Sequence, residues 1–484
     1  MIRPFPIVLR SLSAALVALA LSACSLTPPA STPTPASTPT PAPAPTPALD
    51  AETIARDSLG YLVQAVADGP AGGSVAAAKR PDGRFIPAST AKLASALAAR
   101  AALPADHRFA TRLCADARPD ASGRLDGDLR LVGGGDPTLG IDDLLALAEA
   151  ARAAGLRRVA GRFLLDPGPQ PPLPAIAAGQ PPDAAYNPRL SGLMVAEGAH
   201  RLEWRADGRA WFVPDHPSER PAARRLAALE DAPEGERWLP VLDPTRAAGR
   251  LFRQMAAGAG LTLPEPESAP APSDPCPVEV ARVESAPRDA VLAEMLATSS
   301  NPMAELVGLA AARARGETPA GLRAAAAGTA QWLRAALPEA DWRGLVLPNH
   351  SGLGADARIS PRQMAALLSY AYKLEQGGRA FPALLPLAGW SGGLARRLDQ
   401  PETAVRVWAK TGVMHYGVGL AGYLYARGGQ VYAFAFFATD RQRREAYNRV
   451  ALDPSEAEQT AARLWDAAAR AAIETRLIEI ARRL

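Results

Sequence analysis

A serine and a lysine three residues apart, Ser89 and Lys92, stand at the start of a run rich in alanine and leucine. The run follows Pro87 and predicts a helix with Ser89 in its first turn. Residues three apart lie on one face of a helix, so the two side chains are within reach of each other. A neutral lysine can take the proton of such a serine and make its oxygen a nucleophile. The alternative is a helix-capping serine followed by a solvated lysine.

Lysine is rare in this chain. Arginine cannot lose its proton in a protein, whereas a desolvated lysine can become a neutral base. Each lysine is therefore a candidate for chemistry that arginine cannot perform. Of the 53 basic residues, four are lysines: Lys79, Lys92, Lys373 and Lys410.

Two further motifs follow the serine and lysine. Ser299 and Asn301 form an S-x-N motif, which could also be a polar loop at a helix start. Lys410, Thr411 and Gly412 form a K-T-G motif before a strand-like stretch. On an edge strand, a cation and a hydroxyl in this pattern can bind a substrate carboxylate, and the glycine lets the substrate backbone approach.

The motifs S-x-x-K, S-x-N and K-T-G in this order resemble those of penicillin-binding proteins and serine β-lactamases, which share a fold and an acyl-serine mechanism. The 210 residues from Ser89 to Ser299 are more than a β-lactamase uses, so an insertion must lie between these motifs. Within it, residues 127–139 resemble the G-D-L-x-L-x-G-G-G-D-P-T-L stretch of the class C low-molecular-mass penicillin-binding proteins. Those are D-Ala-D-Ala carboxypeptidases/endopeptidases, and the resemblance covers about residues 51–465.

The resemblance implies a role for each motif residue. Ser89 is expected to be the acylated nucleophile and Lys92 its general base. Ser299 and Lys410 are expected to carry a proton to the departing amine, and Asn301 to bind the peptide. Attack on the penultimate D-Ala carbonyl would release D-alanine or a cross-bridge amine, and water would then release the acyl-enzyme. β-Lactams would trap that intermediate.

The K-T-G strand is expected to bind the end of the substrate. Thr411 would hold the terminal carboxylate together with Lys410, and Gly412 would let the substrate approach. The backbone N–H groups of Ser89 and Val413 would form the oxyanion hole. Val413 stands where the family usually has serine or threonine. A carboxylate-binding hydroxyl is therefore missing, which affects carboxypeptidase activity more than acylation.

Other positions also depart from the family pattern. Ser391 begins a Ser-Gly-Gly stretch where Asp-Gly-Thr is usual. Asn349 and His350 precede Ser351 where Asn-Gly or Asp-Gly is common. For His350 and His415 there are two interpretations: they line the rim of the cleft, or they are ordinary packed or solvent-facing histidines.

Histidine and cysteine spacing limits the other chemistry. None of the five histidines falls in a metal-ligand spacing, so neither a metal nor another cofactor is expected. Cys114 and Cys276 belong to a chain whose start indicates secretion, where disulfides are favoured. They either form a disulfide or remain two buried thiols, because sequence alone does not give their separation.

Composition excludes several classes of protein. The chain has 484 residues and is 48% hydrophobic, which is enough for two or three domains with buried cores. The formal net charge is +4, and the basic residues are dispersed. Neither a nucleic-acid footprint nor a polybasic membrane patch is indicated.

The N-terminus is expected to direct the chain out of the cytoplasm. Residues 1–23 have two arginines followed by an apolar run too short to span a membrane, as in a signal peptide. Small residues before Cys24 resemble the lipobox of bacterial lipoproteins, although an ordinary cleavage site beside an accidental cysteine is the alternative. Ser25 after Cys24 is typical of sorting to the outer membrane. Residues 24–50 contain a linker rich in proline, threonine and alanine.

Helix and strand patterns are both present, so we expect an α/β (α+β) fold of the penicillin-binding protein/β-lactamase type. The transpeptidase-like domain is expected in two parts, 51–104 and 286–484, around a β-rich insertion at 105–285 of one or two nested domains. Within the second part, the patterns predict helices at 293–312, 321–336 and 455–484, and strands at 421–424 and 431–437.

The predicted function is a serine D,D-peptidase that acts on peptidoglycan stem peptides in the periplasm, anchored by lipid to the outer membrane and inhibited by β-lactams. Two alternatives belong to other classes. One is a β-lactamase-like or esterase-like hydrolase, against which the long insertion counts. The other is a non-catalytic muropeptide-binding or scaffold lipoprotein. Such a scaffold would have no reason to keep lysine at positions 92 and 410.

Overall fold

A computed structural model describes residues 50–66, 73–214, 220–230, 232–270, 276–374 and 379–484. The predicted signal peptide, Cys24 and nearly all of the linker lie outside the described residues. The helices are α1 Ala51–Asp57, α2 Lys92–Ala102, α3 Ile141–Ala153, α4 Arg220–Ala227, α5 Pro244–Gly258, α6 Arg288–Thr298, α7 Asn301–Ala314, α8 Leu322–Ala336, α9 Pro361–Lys373, α10 Arg441–Asn448 and α11 Glu456–Arg483.

The strands are short in the middle of the chain and longer toward its ends. They are β1 Leu59–Ala65, β2 Val75–Lys79, β3 Ala110–Ala115, β4 Arg124–Leu125, β5 Leu129–Val132, β6 Arg158–Val159, β7 Phe163–Asp166, β8 Leu173–Ala175, β9 Arg189–Leu190, β10 Ala199–Trp204, β11 Ala210–Val213, β12 Gly235–Pro240, β13 Pro266–Ser268, β14 Val278–Glu284, β15 Val407–Met414, β16 Gly417–Tyr425 and β17 Val431–Thr439.

One antiparallel sheet joins the two ends of the chain, in the order β15-β16-β17-β1-β2. Strand β1 pairs with β17 along its whole length, with Leu62 opposite Ala435. Both strands are buried on both faces, which fits their nearly continuous apolar sequences. Strand β15 is one of the two edge strands of this sheet, and its Lys410 lies opposite Ala421. The sheet therefore presents the K-T-G motif on an open edge.

Helices cover both faces of this sheet. On one face α2, α6, α7, α8 and α9 form an apolar core that includes Leu97, Leu296 and Val307. On the other face α1 and α11 cover β1, β16 and β17, with Trp465 fully buried. Burying side chains of this size contributes roughly 1.5–3 kcal/mol each. No helix in the described part of the chain is long and apolar enough to cross a membrane.

The segment between α2 and α6 has its own sheets. A five-stranded sheet in the order β13-β7-β5-β3-β14 packs against α3 and α5 around Phe163 and Phe252. A three-stranded sheet, β11-β10-β12, packs against α4 around Trp204 and Phe212. We call the segment 105–285 the inserted region. Its limits, and its description as an insertion of one or two nested domains, stay a prediction.

Several predicted elements are confirmed and two need correction. Helices α8 and α11 and strands β16 and β17 lie where the patterns place them. The predicted helix at 293–312 is interrupted, because Ser299 has a left-handed backbone (φ 62°) and Ser300 caps a new helix. Ser89 lies in a 3₁₀ turn, Ala88–Ala91, and not in the first turn of the α-helix that follows.

Cys114 and Cys276 form a disulfide, which decides between the two alternatives. It joins β3 to the residues just before β14, and these two strands pair with each other. Because 162 positions separate the cysteines, the bond closes a long loop in the unfolded chain.

We predict that replacing both Cys114 and Cys276 by alanine lowers the free energy of unfolding by about 2–5 kcal/mol. The loss arises mainly because the unfolded chain gains conformational entropy when it lacks the disulfide. Urea unfolding of the soluble chain starting at Asp50 would measure it. An unchanged midpoint and slope would contradict the prediction.

Candidate active site

Ser89 lies where a tight turn delivers the chain into helix α2. The residue before it, Ala88, has a φ of 45°, a backbone conformation that alanine rarely adopts. The Thr90 hydroxyl donates to the Pro87 carbonyl oxygen at 2.7 Å and stabilises the turn. Ser89 is partly exposed, whereas its neighbours on both sides are buried. The turn thus presents one hydroxyl to a cleft.

Lys92, one turn further on, is completely buried. Two of its partners are oxygens that can only accept, and the third is a hydroxyl that can donate. A neutral amine fits this arrangement, because two N–H groups serve the acceptors while the lone pair faces the hydroxyl proton. The oxygens near Lys92 Nζ are Ser89 Oγ at 2.9 Å, Asn301 Oδ1 at 2.7 Å and Ser351 O at 3.0 Å.

The charges around Lys92 act in both directions. Burial, and then the nearby positive charge of Lys410, hold the pKa of Lys92 well below its ordinary value of 10.5. The carboxylates of Glu305 and Glu197 oppose this shift. Burial is the largest of these effects, so the neutral amine that can act as a base is favoured.

The S-x-N motif forms the junction between α6 and α7. Ser299 adopts its left-handed conformation after α6, and Ser300 accepts a hydrogen bond from the Met303 N–H to cap α7. Asn301 then begins α7 and accepts from Lys92 through Oδ1. Its Nδ2 donates to the Tyr186 carbonyl oxygen at 2.9 Å, which orients the amide and leaves its other N–H for a ligand.

Lys410 is also buried, and its Nζ donates to the Thr411 carbonyl oxygen at 2.8 Å. Burial, aided by the positive charge of Arg397, lowers the pKa of Lys410 to about 7. A lysine with that pKa can both bind an anion and pass a proton near neutral pH. Within the described ranges, no hydrogen bond of the Ser299 hydroxyl is found, so the expected link between Ser299 and Lys410 is not formed directly.

Gly412 brings the K-T-G strand against the turn that holds Ser89. A methyl group on Gly412 would lie 2.6 Å from the Pro87 carbonyl oxygen and 3.0 Å from the Ser89 backbone nitrogen. Only glycine allows this approach without a shift of backbone. Val413 follows, with 48% of its surface exposed in the same cleft as Ser89. The two segments expected to form the oxyanion hole are therefore neighbours.

The positions that depart from the family pattern have distinct environments. Ser391 accepts a hydrogen bond from the Leu387 N–H, in a loop that places Gly393 against Thr411. His350 is buried, and burial followed by the charge of Arg315 lowers its pKa to about 3, so it is a neutral packed histidine.

His415 is different from His350. It lines the cleft, and its Nδ1 lies 2.8 Å from the Asp466 carboxylate. His350 is therefore a packed histidine, and His415 lies at the rim of the cleft.

Sequence reasoning assigned no role to Glu305, which organises one side of the site. It is fully buried on α7 and accepts the backbone N–H groups of His350 (3.0 Å) and Ser351 (2.8 Å). Burial raises the pKa of Glu305. By holding this loop, Glu305 presents the Ser351 carbonyl oxygen to Lys92. The signal in the sequence that could have indicated this role is a single glutamate within an apolar helical run.

The cleft at Ser89 has a volume of about 640 Å³. Ser89, Asn301 and Val413 line this cleft together with Tyr186 and Arg237 of the inserted region. Among the described residues, no cluster of histidine, cysteine, aspartate or glutamate could hold a metal ion. The site has the arrangement of a serine acyl-transferase, in which a buried lysine lies beside the serine that would be acylated.

Comparison with known proteins identifies the family. The sequence model of the D-Ala-D-Ala carboxypeptidase 3 (S13) family matches residues 46–222 and 227–458, so the chain belongs to that family. It is 30% identical over 392 residues to the D-alanyl-D-alanine carboxypeptidase of Actinomadura sp. (strain R39), covering 70% of this chain and 71% of that protein. It is 29% identical over 379 residues to a carboxypeptidase of Mycobacterium tuberculosis, covering 74% and 71%.

The fold is similar to that of penicillin binding protein 4 from Haemophilus influenzae, with a TM-score of 0.66 and 20% identity over 83% of this chain and 99% of that one. The same protein in complex with a novel β-lactam gives a TM-score of 0.63 at 20% identity, covering 80% and 92%. The predicted α/β fold, the class C penicillin-binding protein family and the serine-type carboxypeptidase class are confirmed.

The pH dependence of acylation should depend on Lys410. Removing its positive charge raises the pKa of Lys92, because protonated Lys92 no longer meets a neighbouring cation. In Lys410→Met, acylation by benzylpenicillin should be slower, and its acidic limb should move to higher pH. Acylation rates measured between about pH 5 and about pH 9 test this. Lys373→Met is the matched control, and an unmoved limb in Lys410→Met would contradict the prediction.

Proposed function

We propose that the protein cuts the stem peptides of peptidoglycan by acyl transfer to Ser89, releasing terminal D-alanine or opening cross-bridges. The observation that carries the proposal is the buried Lys92, whose Nζ lies 2.9 Å from Ser89 Oγ and 2.7 Å from Asn301 Oδ1. A capping serine beside a solvated lysine would not need a buried amine. Family membership supports the same reaction.

Acylation begins when Lys92 takes the proton of Ser89 and Ser89 Oγ attacks the carbonyl carbon of the penultimate D-alanine. Negative charge develops on the carbonyl oxygen, where the N–H groups of Ser89 and Val413 would stabilise it. The C–N bond then breaks, and the leaving amine needs a proton. Lys410, with a pKa of about 7, can supply this proton, with Ser299 as the relay between them.

Deacylation reverses these steps with water in place of the amine. The proton that Lys92 took from Ser89 first passes to Lys410 and replaces the one that left with the amine, so that both lysines return to their starting states. Neutral Lys92 then takes a proton from water as the water oxygen attacks the acyl-serine ester, and it returns this proton to Ser89 Oγ when the ester bond breaks. A β-lactam that forms the same ester leaves no separate amine, because its ring nitrogen stays attached to the acyl group. The acyl-enzyme then persists.

Intact mass spectrometry after exposure to benzylpenicillin tests the proposal. The soluble chain from Asp50 should gain the mass of one benzylpenicillin and keep it. Ser89→Ala should gain none, and Lys92→Met should acylate roughly a hundredfold or more slowly. The matched controls are Ser122→Ala and Lys79→Met, which lie outside the cleft.

Two other outcomes would contradict the proposal. Rapid loss of the drug without a lasting adduct would indicate a β-lactamase. A folded protein that neither forms an adduct nor consumes the drug would indicate a non-catalytic binding protein.

The missing hydroxyl at Val413 predicts weak binding of a terminal carboxylate. Val413 is half exposed on β15, two residues beyond Thr411, where a hydroxyl could reach a carboxylate bound by Lys410 and Thr411. Val413→Thr keeps the shape and adds that hydroxyl. We predict that it raises kcat/KM for D-alanine release from a D-Ala-D-Ala peptide by about 3–10-fold, mainly through KM. Assay of released D-alanine measures this; an unchanged KM would contradict it.

We propose in addition that the protein is a lipoprotein of the periplasm, carried at the outer membrane by Cys24. The Lipobox-like residues before Cys24, Ser25 after it and the proline-rich stretch to residue 50 support this. In polyproline II, the 20 residues from Pro28 to Pro47 could hold the catalytic part about 60 Å from the lipid.

Cys24→Ala should move the protein from the membrane pellet to the soluble fraction and abolish labelling by a radioactive fatty acid. The reason is that the thiol which would carry the lipid is lost, while the folded part offers no helix in its described residues that could span a membrane. Fractionation on a sucrose gradient shows whether the protein is bound to a membrane and whether that membrane is the outer one. Cys114→Ala is not a suitable control because it breaks the disulfide, so Ser31→Ala in the linker is used. A membrane-bound Cys24→Ala would contradict the proposal.

A further inference from the structure

A left-handed turn in the inserted region lies next to the S-x-N motif. Its residues Ala196, Glu197 and Gly198 have φ values of 50°, 57° and 70°. Two consecutive residues with side chains are rarely found in this conformation, and it persists only where the surroundings hold it. The Ala196 N–H donates to the Leu139 carbonyl oxygen at 3.1 Å, and the Val241 N–H donates to the Gly198 carbonyl oxygen at 2.8 Å. The inserted region thus holds the turn from both sides.

The side chain at the centre of this turn reaches the catalytic motif. The Ser300 hydroxyl donates to Glu197 Oε2 at 2.7 Å and accepts the Met303 N–H at 3.2 Å. Ser300 is the middle residue of S-x-N, between Ser299 and Asn301. One hydroxyl therefore links the inserted region to the helix end that places Asn301 beside Lys92.

Glu197 also contributes charge to the site. Burial raises its pKa, the hydrogen bond from Ser300 lowers it, Glu294 raises it, and Lys92 lowers it. The charged groups that act on Lys92 are Lys410, Glu305 and Glu197. The Glu305 carboxylate accepts two backbone N–H groups of the 349–352 loop. The Glu197 carboxylate belongs to the inserted region and accepts the Ser300 hydroxyl.

We propose that Glu197 is a positioning residue of the active site, whose carboxylate holds Ser300 and thereby keeps Asn301 and Ser299 aligned with Lys92 and Ser89. The inserted region is then part of the catalytic apparatus and not an appended module. A second contact agrees with this, since the Tyr186 carbonyl oxygen accepts from Asn301 Nδ2. The inference rests on the proposed acyl-serine function.

The experiment separates the hydrogen bond from the charge. Glu197→Ala removes both, Ser300→Ala removes the bond and the cap, and Glu197→Gln keeps an acceptor of the same shape without the charge. The second-order rate of acylation by benzylpenicillin is measured across pH for each variant and for Glu197→Ala with Ser300→Ala. The control is Glu236→Gln, an exposed glutamate of the inserted region.

We expect Glu197→Ala and Ser300→Ala each to slow acylation roughly 10–100-fold, as loss of an orienting partner does in other sites. The double variant should be no slower than the slower single variant, because both remove one interaction. Glu197→Gln should stay within about threefold of wild type at its plateau. Its acidic limb should move to lower pH, because loss of a negative charge lowers the pKa of Lys92. A merely structural contact would not move this limb.

The outcomes distinguish the inference from the function. If wild type acylates and both Glu197 variants match it in rate and pH profile, the inference is overturned and the proposed function stands. If Glu197→Ala does not fold, Ser300→Ala decides because it removes the same hydrogen bond, and an acylation rate within about threefold of wild type overturns the inference. If wild type itself does not acylate, the proposed function fails and the inference fails with it.

Discussion

A single buried amine sets the requirements for the rest of the site. Lys92 is removed from water completely, and an ammonium group there would be costly unless it lost its proton or gained partners. The structure supplies three oxygens at hydrogen-bonding distance and places a second buried lysine, Lys410, close enough to disfavour the charged form. Helix α2 must therefore pack against α7 and the 349–352 loop to within hydrogen-bonding distance.

The architecture meets this requirement by bringing distant parts of the chain together. The two ends of the chain form the central sheet, and its edge strand β15 approaches Ser89 at Gly412, where a side chain would clash with backbone. The inserted region returns to the same place through Tyr186 and Glu197. Residues far apart in sequence thus meet at the S-x-N motif. Asn301 contacts Lys92 of the first part of the domain, and the inserted region contacts Asn301 and Ser300.

The sequence predicted the parts of this account that depend on local pattern or on rare residue types. The S-x-x-K, S-x-N and K-T-G motifs, the strands β16 and β17 and the helix α11 were all readable, because helix and strand periods and the scarcity of lysine are local signals. The break at Ser299 was missed although Ser300, Asn301 and Pro302 favour a helix start, because the helical composition on both sides of them was taken as one helix.

Other features depend on tertiary contacts that no local pattern shows. In the sequence, Glu305 is only a single charged residue within an apolar helix. Its two partners are backbone N–H groups of the 349–352 loop, which is distant in sequence. No local pattern singles out Glu197, because its partner Ser300 is 103 positions away. The disulfide was left open for the same reason, since the distance between Cys114 and Cys276 is a property of the fold.

A measurement of the protonation state of Lys92 in the resting protein tests most directly whether this lysine is the base. With four lysines in the chain, selective ¹³C labelling at the carbon next to Nζ should give four NMR signals, assignable by single Lys→Arg variants. We expect Lys92 to lose its proton at a pH well below its ordinary pKa of 10.5, and Lys410 to have a pKa of about 7. A Lys92 signal that stays that of an ammonium group up to its ordinary pKa would contradict the claim that this buried lysine is the base.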